Sequence, residues 1–286
     1  MFPGLDRDAL LRPPSISPPN VPNKSGETFG ELLKMMQGYE VEIRSEVHRA
    51  NLLRDARYYH FKGLEQKLVP HEVSYNLKRQ QNEIVIRLED IRQSGVSFLP
   101  DPILSADAEV SSTAGYVSYA RPYTDDATAN HVLVLQTSSG ESSTLHLPPP
   151  SSAGLPNILN AHITFHADTL LRMSSLVGVI ASKMGLPSTQ PLSLSGRFKS
   201  GAHVRIGSDC TLIVDGREAD ISTRTHESEL DWVVRRAQWR LRVEPARMQR
   251  DEDDDATIEV VLEAVKIDAY TKEKTRNAMR GFLGSG

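Results

Sequence analysis

With one cysteine, Cys210, in 286 residues, the chain can make neither an internal disulfide nor a cysteine-based metal site by itself. No run approaches the roughly 20 apolar positions of a membrane-spanning helix, and the first residues lack the apolar core of a secretory signal. Cytoplasm or nucleus is the expected location. A strong excess of one charge is also missing: 33 Lys and Arg against 37 Asp and Glu leave a formal charge of -4, with no general attraction to nucleic acid or anionic membrane. Hydrophobic residues make up 39% and aromatic residues 6%, lean for a compact globule and consistent with inserts rich in proline and serine. There is no Gly-x-Ser-x-Gly elbow, no phosphate loop ending in Gly-Lys-Ser/Thr and no repeat of fixed period. Motifs therefore assign no catalytic residue, no cofactor and no metal ligand.

What the sequence does carry is helical periodicity near its start. Phe29, Leu32, Leu33 and Met36 fall at i, i+3, i+4 and i+7, and Gly38 stands where a helix C-terminus is expected. Leu52, Ala56 and Tyr59 recur at i, i+4 and i+7, with Leu53 widening the stripe, while Arg54, Asp55 and Arg57 are expected to project away from it. Gly63 predicts a tight turn into a shorter helix carrying Leu64 and Leu68. The two stripes are expected to pack on each other as one cluster, although periodicity alone fits any helical hairpin in any core.

The segment Leu52 to Leu68, with its paired Leu, Asp55-Ala56-Arg57, a Tyr, Gly63-Leu64 and a final Leu, resembles the end of the BTB/POZ domain in its potassium-channel-tetramerisation form. Upstream, Gly4-Leu5-Asp6-Arg7-Asp8 is similar to the short turn that precedes that family's Phe-x-x-Leu-Leu helix. Two departures stand out. Pro13, Pro14, Pro18, Pro19 and Pro22 interrupt the region between Leu10 and Gly26, so residues 11–25 are expected to be a flexible, exposed insertion. The family's opening strands should lie before Asp6, so the expectation is an N-terminally truncated, fungal-like member. The resemblance implies homo-oligomerisation, and in many relatives an adaptor role that presents a recruited protein to a cullin-type ubiquitin ligase. Nucleic acid, a membrane span and a cofactor are not among the implied partners.

After residue 69 the pattern becomes β-rich. Residues 70–99 read as a connecting segment with a strand at Ile84 to Leu88, and residues 100–286 as a separate domain of unassigned family. Its strands are expected at Tyr116–Arg121, His131–Thr137, Ser143–Leu147, Ala161–Phe165, Leu192–Phe198, His203–Ile206, Thr211–Val214, Trp232–Val243 and Thr257–Ile267. The second and third should form a hairpin. One longer helix, Thr169 to Met184, carries Leu170, Met173, Leu176, Val177 and Ile180. The expected fold class is thus α+β: the helical remainder of a BTB/POZ domain followed by a mainly antiparallel, β-rich domain.

Candidate chemistry in that domain is sparse. His162 and His166 are four apart, but Ile163-Thr164-Phe165 between them favours a strand, placing the rings roughly 13 Å apart and too far for one ion. Cys210 reads as a small buried hydrophobe. Arg235, Arg236, Arg240 and Arg242 read as the wet side of a sheet, and the run Asp251 to Asp255 as a solvated loop. A hydrolase-like enzyme in this domain, built on His162, His166, His203 or Cys210 beside an acid, is the alternative to an interaction protein.

Overall fold

Ser25 and Ser45 each hold extended backbone, and each hydroxyl accepts the amide three residues on, Thr28 N–H at 3.4 Å and His48 N–H at 3.1 Å. Each satisfies one of the orphan donors of a helix start. They open α1 (Gly26–Met36) and α2 (Glu46–Tyr58), and α3 (Lys62–Leu68) follows. The computed structural model describes residues 21–102, 114–125, 130–138, 143–149, 158–186, 192, 194, 201–220, 231–245 and 258–271. The chain divides into two compact units, Met1–Leu68 and Val69–Gly286.

Three of the helices share one way of stopping. After α1, Gly38 takes φ 89°, its N–H reaches Met35 O at 3.2 Å, and Tyr39 N–H reaches Lys34 O at 3.0 Å. This is the Schellman pair of bonds, which satisfies carbonyls that the helix leaves open. After α2 the same two bonds run from His60 N–H to Arg57 O at 3.2 Å and from Phe61 N–H to Ala56 O at 2.9 Å. The left-handed residue there is His60, at φ 58°, and not the glycine expected to turn the chain. Gly63 lies inside the first turn of α3 instead.

Among its described residues the second unit is one sheet of 11 strands with one α-helix on it. In chain order these are β1 (His71–Asn76), β2 (Gln81–Arg87), β3 (Val96–Pro100), β4 (Gly115–Tyr119), β5 (His131–Ser138), β6 (Ser143–His146), β7 (Ile158–Phe165), β8 (Gly201–Val214), β9 (Arg217–Glu218), β10 (Asp231–Pro245) and β11 (Ile258–Thr271). The helix α4 (Ala167–Lys183) follows β7, buries Met173, Leu176, Val177 and Ile180, and packs against β3. Its end repeats the Schellman pair, with Gly185 at φ 67°. Residues 70–99 are therefore not a connection with one strand; they contribute β1, β2 and most of β3.

Strand β10 organises the sheet. One edge runs beside β11 from Trp232↔Thr271 to Pro245↔Ile258, and the other is shared in series by β6, β5 and β4. The expected hairpin between β5 and β6 is not made, because each docks on β10 instead, β6 at Asp231–Val233 and β5 at Arg236–Arg240. The pairings β10 with β11, β11 with β8, β8 with β7, β7 with β6 and β6 with β10 close a ring. Two pairings, β2 with β5 and β8 with β11, are parallel, and the others are antiparallel. The segments expected as separate strands at 203–206 and 211–214 merge into β8. Apart from residues 192 and 194, the strand expected at 192–198 lies outside the described residues, as do the loop at 251–255 and residues 11–20 of the insertion.

Alternate positions of the ring strands are buried and apolar, among them Leu145, Ile163, Phe165, Val204, Ile206, Trp239 and Leu262. Trp239 is fully buried and donates its indole N–H to Thr137 Oγ1 at 3.0 Å, which satisfies the one polar atom it takes inside. The opposite positions are not simply wet. Arg240 has a side chain only 3% exposed and gives two hydrogen bonds to Glu83, at 2.7 and 3.2 Å, so the expectation of a solvated arginine row fails here. Arg235, 54% exposed, does fit that row. Burial alone would push the Glu83 carboxyl up, but the hydrogen bonds and charge of Arg240 outweigh it and hold it below the usual carboxylate range.

Replacing Glu83 with Gln should leave the buried Arg240 with Asp209 at 3.7 Å and cost about 3 kcal/mol in urea unfolding, the low end for breaking a buried pair, whereas Glu83→Leu with Arg240→Met should recover most of it. Equal destabilisation by both would show that the charges are not coupled. For the helical unit, His60→Gly should raise stability by about 1 kcal/mol by relieving the left-handed backbone, which a thermal melt resolves.

Candidate protein-interaction site

The three helices among the described residues of the first unit enclose a small core. Leu32, Leu52 and Ala56 are fully buried, and Leu53 and Leu64 nearly so. Phe29 and Tyr59 are half-buried with ring centroids 4.8 Å apart, and Phe61 adds a third ring 5.7 Å from Tyr59. Leu33 and Met36 are not in this cluster: they are 39% and 54% exposed. Leu33 lies on the flank of the α1 stripe, and Met36 lies a turn beyond Leu32, the one α1 residue that is buried.

Asp55 corrects the expectation more sharply. Its side chain is fully buried, and it is met by Lys24 Nζ at 2.8 Å and Arg54 Nε at 3.0 Å. Burial by itself would raise the Asp55 carboxyl, and the Lys24 and Arg54 hydrogen bonds and charges reverse this, holding it below the ordinary range. Lys24 Nζ also stands 4.4 Å over the Tyr58 ring. The last residues of the proline-rich insertion are thus anchored, Lys24 to α2 and Ser25 as the cap of α1. A second link ties α2 and the segment before it to α1: Glu31 accepts from His48 at 2.8 Å and from Arg44.

The outside of this unit is unusually apolar. Half of the large hydrophobic side chains exposed among the described residues, Val21, Leu33, Met36, Tyr39, Val47 and Tyr58, belong to it, although it is about a quarter of the chain. Leu33 and Met36 sit one turn apart on α1, and Tyr39, 66% exposed, lines a groove of about 680 Å³ with Met35, Gly38, Val41, Glu40, Glu42 and Lys67. An apolar rim edged by carboxylates and a lysine suits a protein surface better than a small ligand.

In the second unit, His162 and His166 are not brought together, since His162 lies within β7 and His166 beyond it at the start of α4. The sheet instead sets His162 opposite His146 on one side and His203 on the other. Neither partner could be foreseen, because strand pairing between segments so far apart leaves no local signature. His203 Nδ1 meets Glu259 at 2.9 Å, and His146 meets Asp231 through Nδ1 at 2.8 Å and Thr164 Oγ1 through Nε2 at 3.0 Å. The Cys210 thiol is pushed up to about 12 by burial and by Asp209, so it is no thiolate at neutral pH. A cleft of about 400 Å³ lies between Arg79, Arg205, Asp209 and Glu263, whose charges are already cross-paired at 3.1–3.4 Å.

Set beside known proteins, the chain is 37% identical over 89 residues to the uncharacterized protein YDR132C of Saccharomyces cerevisiae, a match covering 31% of this chain and 18% of that one. It is 33% identical over 85 residues to the BTB/POZ domain-containing protein YLR108C of the same yeast, covering 30% of this chain and 17% of that one. It spans less than a fifth of the length of either relative. No family model matches the chain, and no solved structure does. A distant, partial likeness to a BTB/POZ domain-containing protein is what these comparisons provide.

The Asp55 cluster makes a pH test. Because the folded carboxyl is depressed below its ordinary 3.8, its contribution is complete above that value and is lost as pH falls through the folded value. The protection of α2 amides, relative to unfolded-chain exchange at the same pH, should therefore fall below about pH 4. Lys24→Met should weaken the helical unit by about 3 kcal/mol at neutral pH, the low end for breaking a buried pair because Arg54 remains. Unchanged α2 protection in this variant would sink the role given to the pair.

Proposed function

We propose that the first unit is a helical part of a tetramerisation-type BTB/POZ domain and that the chain works by protein–protein interaction. It joins copies of itself and, through the β-rich unit, holds a recruited protein. The observation that carries this reading is the outward apolar set Leu33, Met36 and Tyr39 beside the groove of the first unit. It is supported by the likeness to a protein named for a BTB/POZ domain and by the resemblance of Leu52 to Leu68 to that domain's closing helices. Presentation of the recruited protein to a cullin-type ubiquitin ligase is the finer form of the proposal, resting on the resemblance alone.

A hydrolase-like second reading has one observation in its favour: Asp231, His146 and Thr164 repeat the acid, imidazole and hydroxyl order of a catalytic triad. These side chains stand on a sheet surface, with His146 and Asp231 40% and 34% exposed, where water is not excluded from a reacting group. The interaction reading therefore stands first.

Light scattering on the whole chain across micromolar concentrations should show self-association. Met36→Glu combined with Tyr39→Ser should abolish it without changing the thermal melt, since both side chains are already exposed. A strictly monomeric wild-type chain, or association that survives the double variant, would rule out this surface as the one that joins copies.

A further inference from the structure

Among the described residues three strands of the sheet have a partner on one side only, β1, β3 and β9. Strand β9 is two residues long, and β3 ends in Pro100 and has α4 packed against it. Short length, proline and a covering helix are ways of blunting an edge. Strand β1 has none of them: its six residues include no proline, and they pair with β2 from His71↔Ile86 to Asn76↔Gln81 without a register shift. Its outer row of backbone N–H and C=O groups is unbroken and open to another strand.

The side chains on this edge continue the core. Val73 is opposite Ile84, Ile84 is opposite Leu133, and Leu135, two residues further along β5, is opposite Trp239. Residues directly opposite share a face of the sheet, as do residues two apart on one strand, so Val73 and Tyr75 stand on the face that buries Trp239. Ile84, Leu133, Leu135 and Trp239 are fully buried, and there the cover stops: Val73 is 46% exposed and Tyr75 55%. With Leu77 in the turn that follows, they are three of the six large hydrophobic side chains that the second unit exposes among its described residues. On the opposite face Glu72 is exposed, and it makes no ion pair among the described residues.

We infer that the open edge of β1 takes an extended segment of the recruited protein as an added antiparallel strand, with apolar side chains opposite Val73 and Tyr75 and a lysine or arginine opposite Glu72. This rests on the reading of the β-rich unit as the part that holds a recruited protein. An added strand gains its affinity from main-chain hydrogen bonds to the edge, and its alternate side chains set the specificity. Antiparallel pairing is the more stable arrangement per residue. Apolar side chains over Val73 and Tyr75 extend the covered face by one strand, and a cation opposite Glu72 supplies the charge it lacks. Length speaks against a second copy of the chain as the occupant. Six residues at about 3.3 Å each make an edge of roughly 20 Å, and two such edges laid together bury far less than the roughly 800 Å² per partner of a stable interface.

The test titrates the whole chain with a capped peptide, Thr-Val-Thr-Ile-Arg-Thr, which in antiparallel register sets its valine opposite Tyr75, its isoleucine opposite Val73 and its arginine opposite Glu72. Binding should saturate at one peptide per chain, and alternate amides of His71–Asn76, those turned away from β2, should gain protection from exchange. Glu72→Lys should weaken binding about 3- to 10-fold, and a peptide with glutamate in place of its arginine should restore it in that variant. Val73→Thr with Tyr75→Thr should weaken binding about 10-fold and leave the thermal melt nearly unchanged, since both side chains are exposed. Light scattering on the same samples separates this site from the wider reading. Absent or unsaturable binding, protection gained away from β1, or a Glu72→Lys variant that the glutamate peptide does not rescue would overturn the β1 site, and with self-association intact would leave the interaction reading standing. Self-association lost in Val73→Thr with Tyr75→Thr would overturn it as well, by giving the edge to a second copy.

Discussion

Strand β10 shares one of its edges among three partners, and the whole β-rich unit depends on that arrangement. Every backbone donor and acceptor along a buried strand needs a mate, and a strand of 15 residues is longer than any single neighbour on that side. Assigning its first residues to β6, its middle to β5 and its end to β4 meets the requirement. The register shift against β11 after Val234 puts an extra residue in β10 where the strand passes from β6 to β5, and a second shift after Gln238 puts one in β11. Trp239 and Arg240 lie just past the second shift, and they send one anchor to each face, to Thr137 and to Glu83.

The polar face of this sheet is held by paired charges where an ordinary half-exposed sheet would be wet. Arg205 joins β10 and β11 through Glu244 at 2.7 Å and Glu263 at 3.1 Å, and Glu263 also accepts from Tyr116 at 3.0 Å. Arg242 stacks 4.7 Å over the Tyr116 ring and pairs with Asp101. Buried pairs of this kind are weak evidence for net stability, but removing one partner leaves a charge with nowhere to go. The Asp55 cluster of the helical unit follows the same rule on a smaller scale.

Much of the local structure was legible because it is written locally. Periodicity marked α1, α2 and α4, and Gly38 and Gly185 marked two of their ends. Alternation in the segment from Gln238 to Val243 marked β10, although not that Arg240 would be buried, since that depends on Glu83 lying across the sheet. His60 concealed the end of α2 because a left-handed histidine looks like any other residue, and Gly63 attracted the turn assignment in its place. Asp55 was placed outside for its charge; Lys24, in a proline-rich stretch, gave no sign of reaching back to it. The outward apolar residues Leu33 and Met36 carry the same period as the buried ones, so periodicity could not separate core from surface. The opposition of His162 to His146 and His203 was beyond reach for the reason the absent hairpin was: pairing between distant strands is a property of the whole chain.

The ring of β10, β11, β8, β7 and β6 has a consequence for how the chain is made. Its seams join β6 to β10 and β8 to β11, so Ser143 to His146 wait for residues after 230, and Gly201 to Val214 wait for residues after 257. Contacts of such long sequence separation form slowly, and on the ribosome the ring has no complete partner set until β11 has emerged. The helical unit closes over shorter separations, such as the 31 residues from Lys24 to Asp55. It reaches its folded form while the sheet is still being synthesised, so during translation the outward residues of α1 are on offer before the second unit exists.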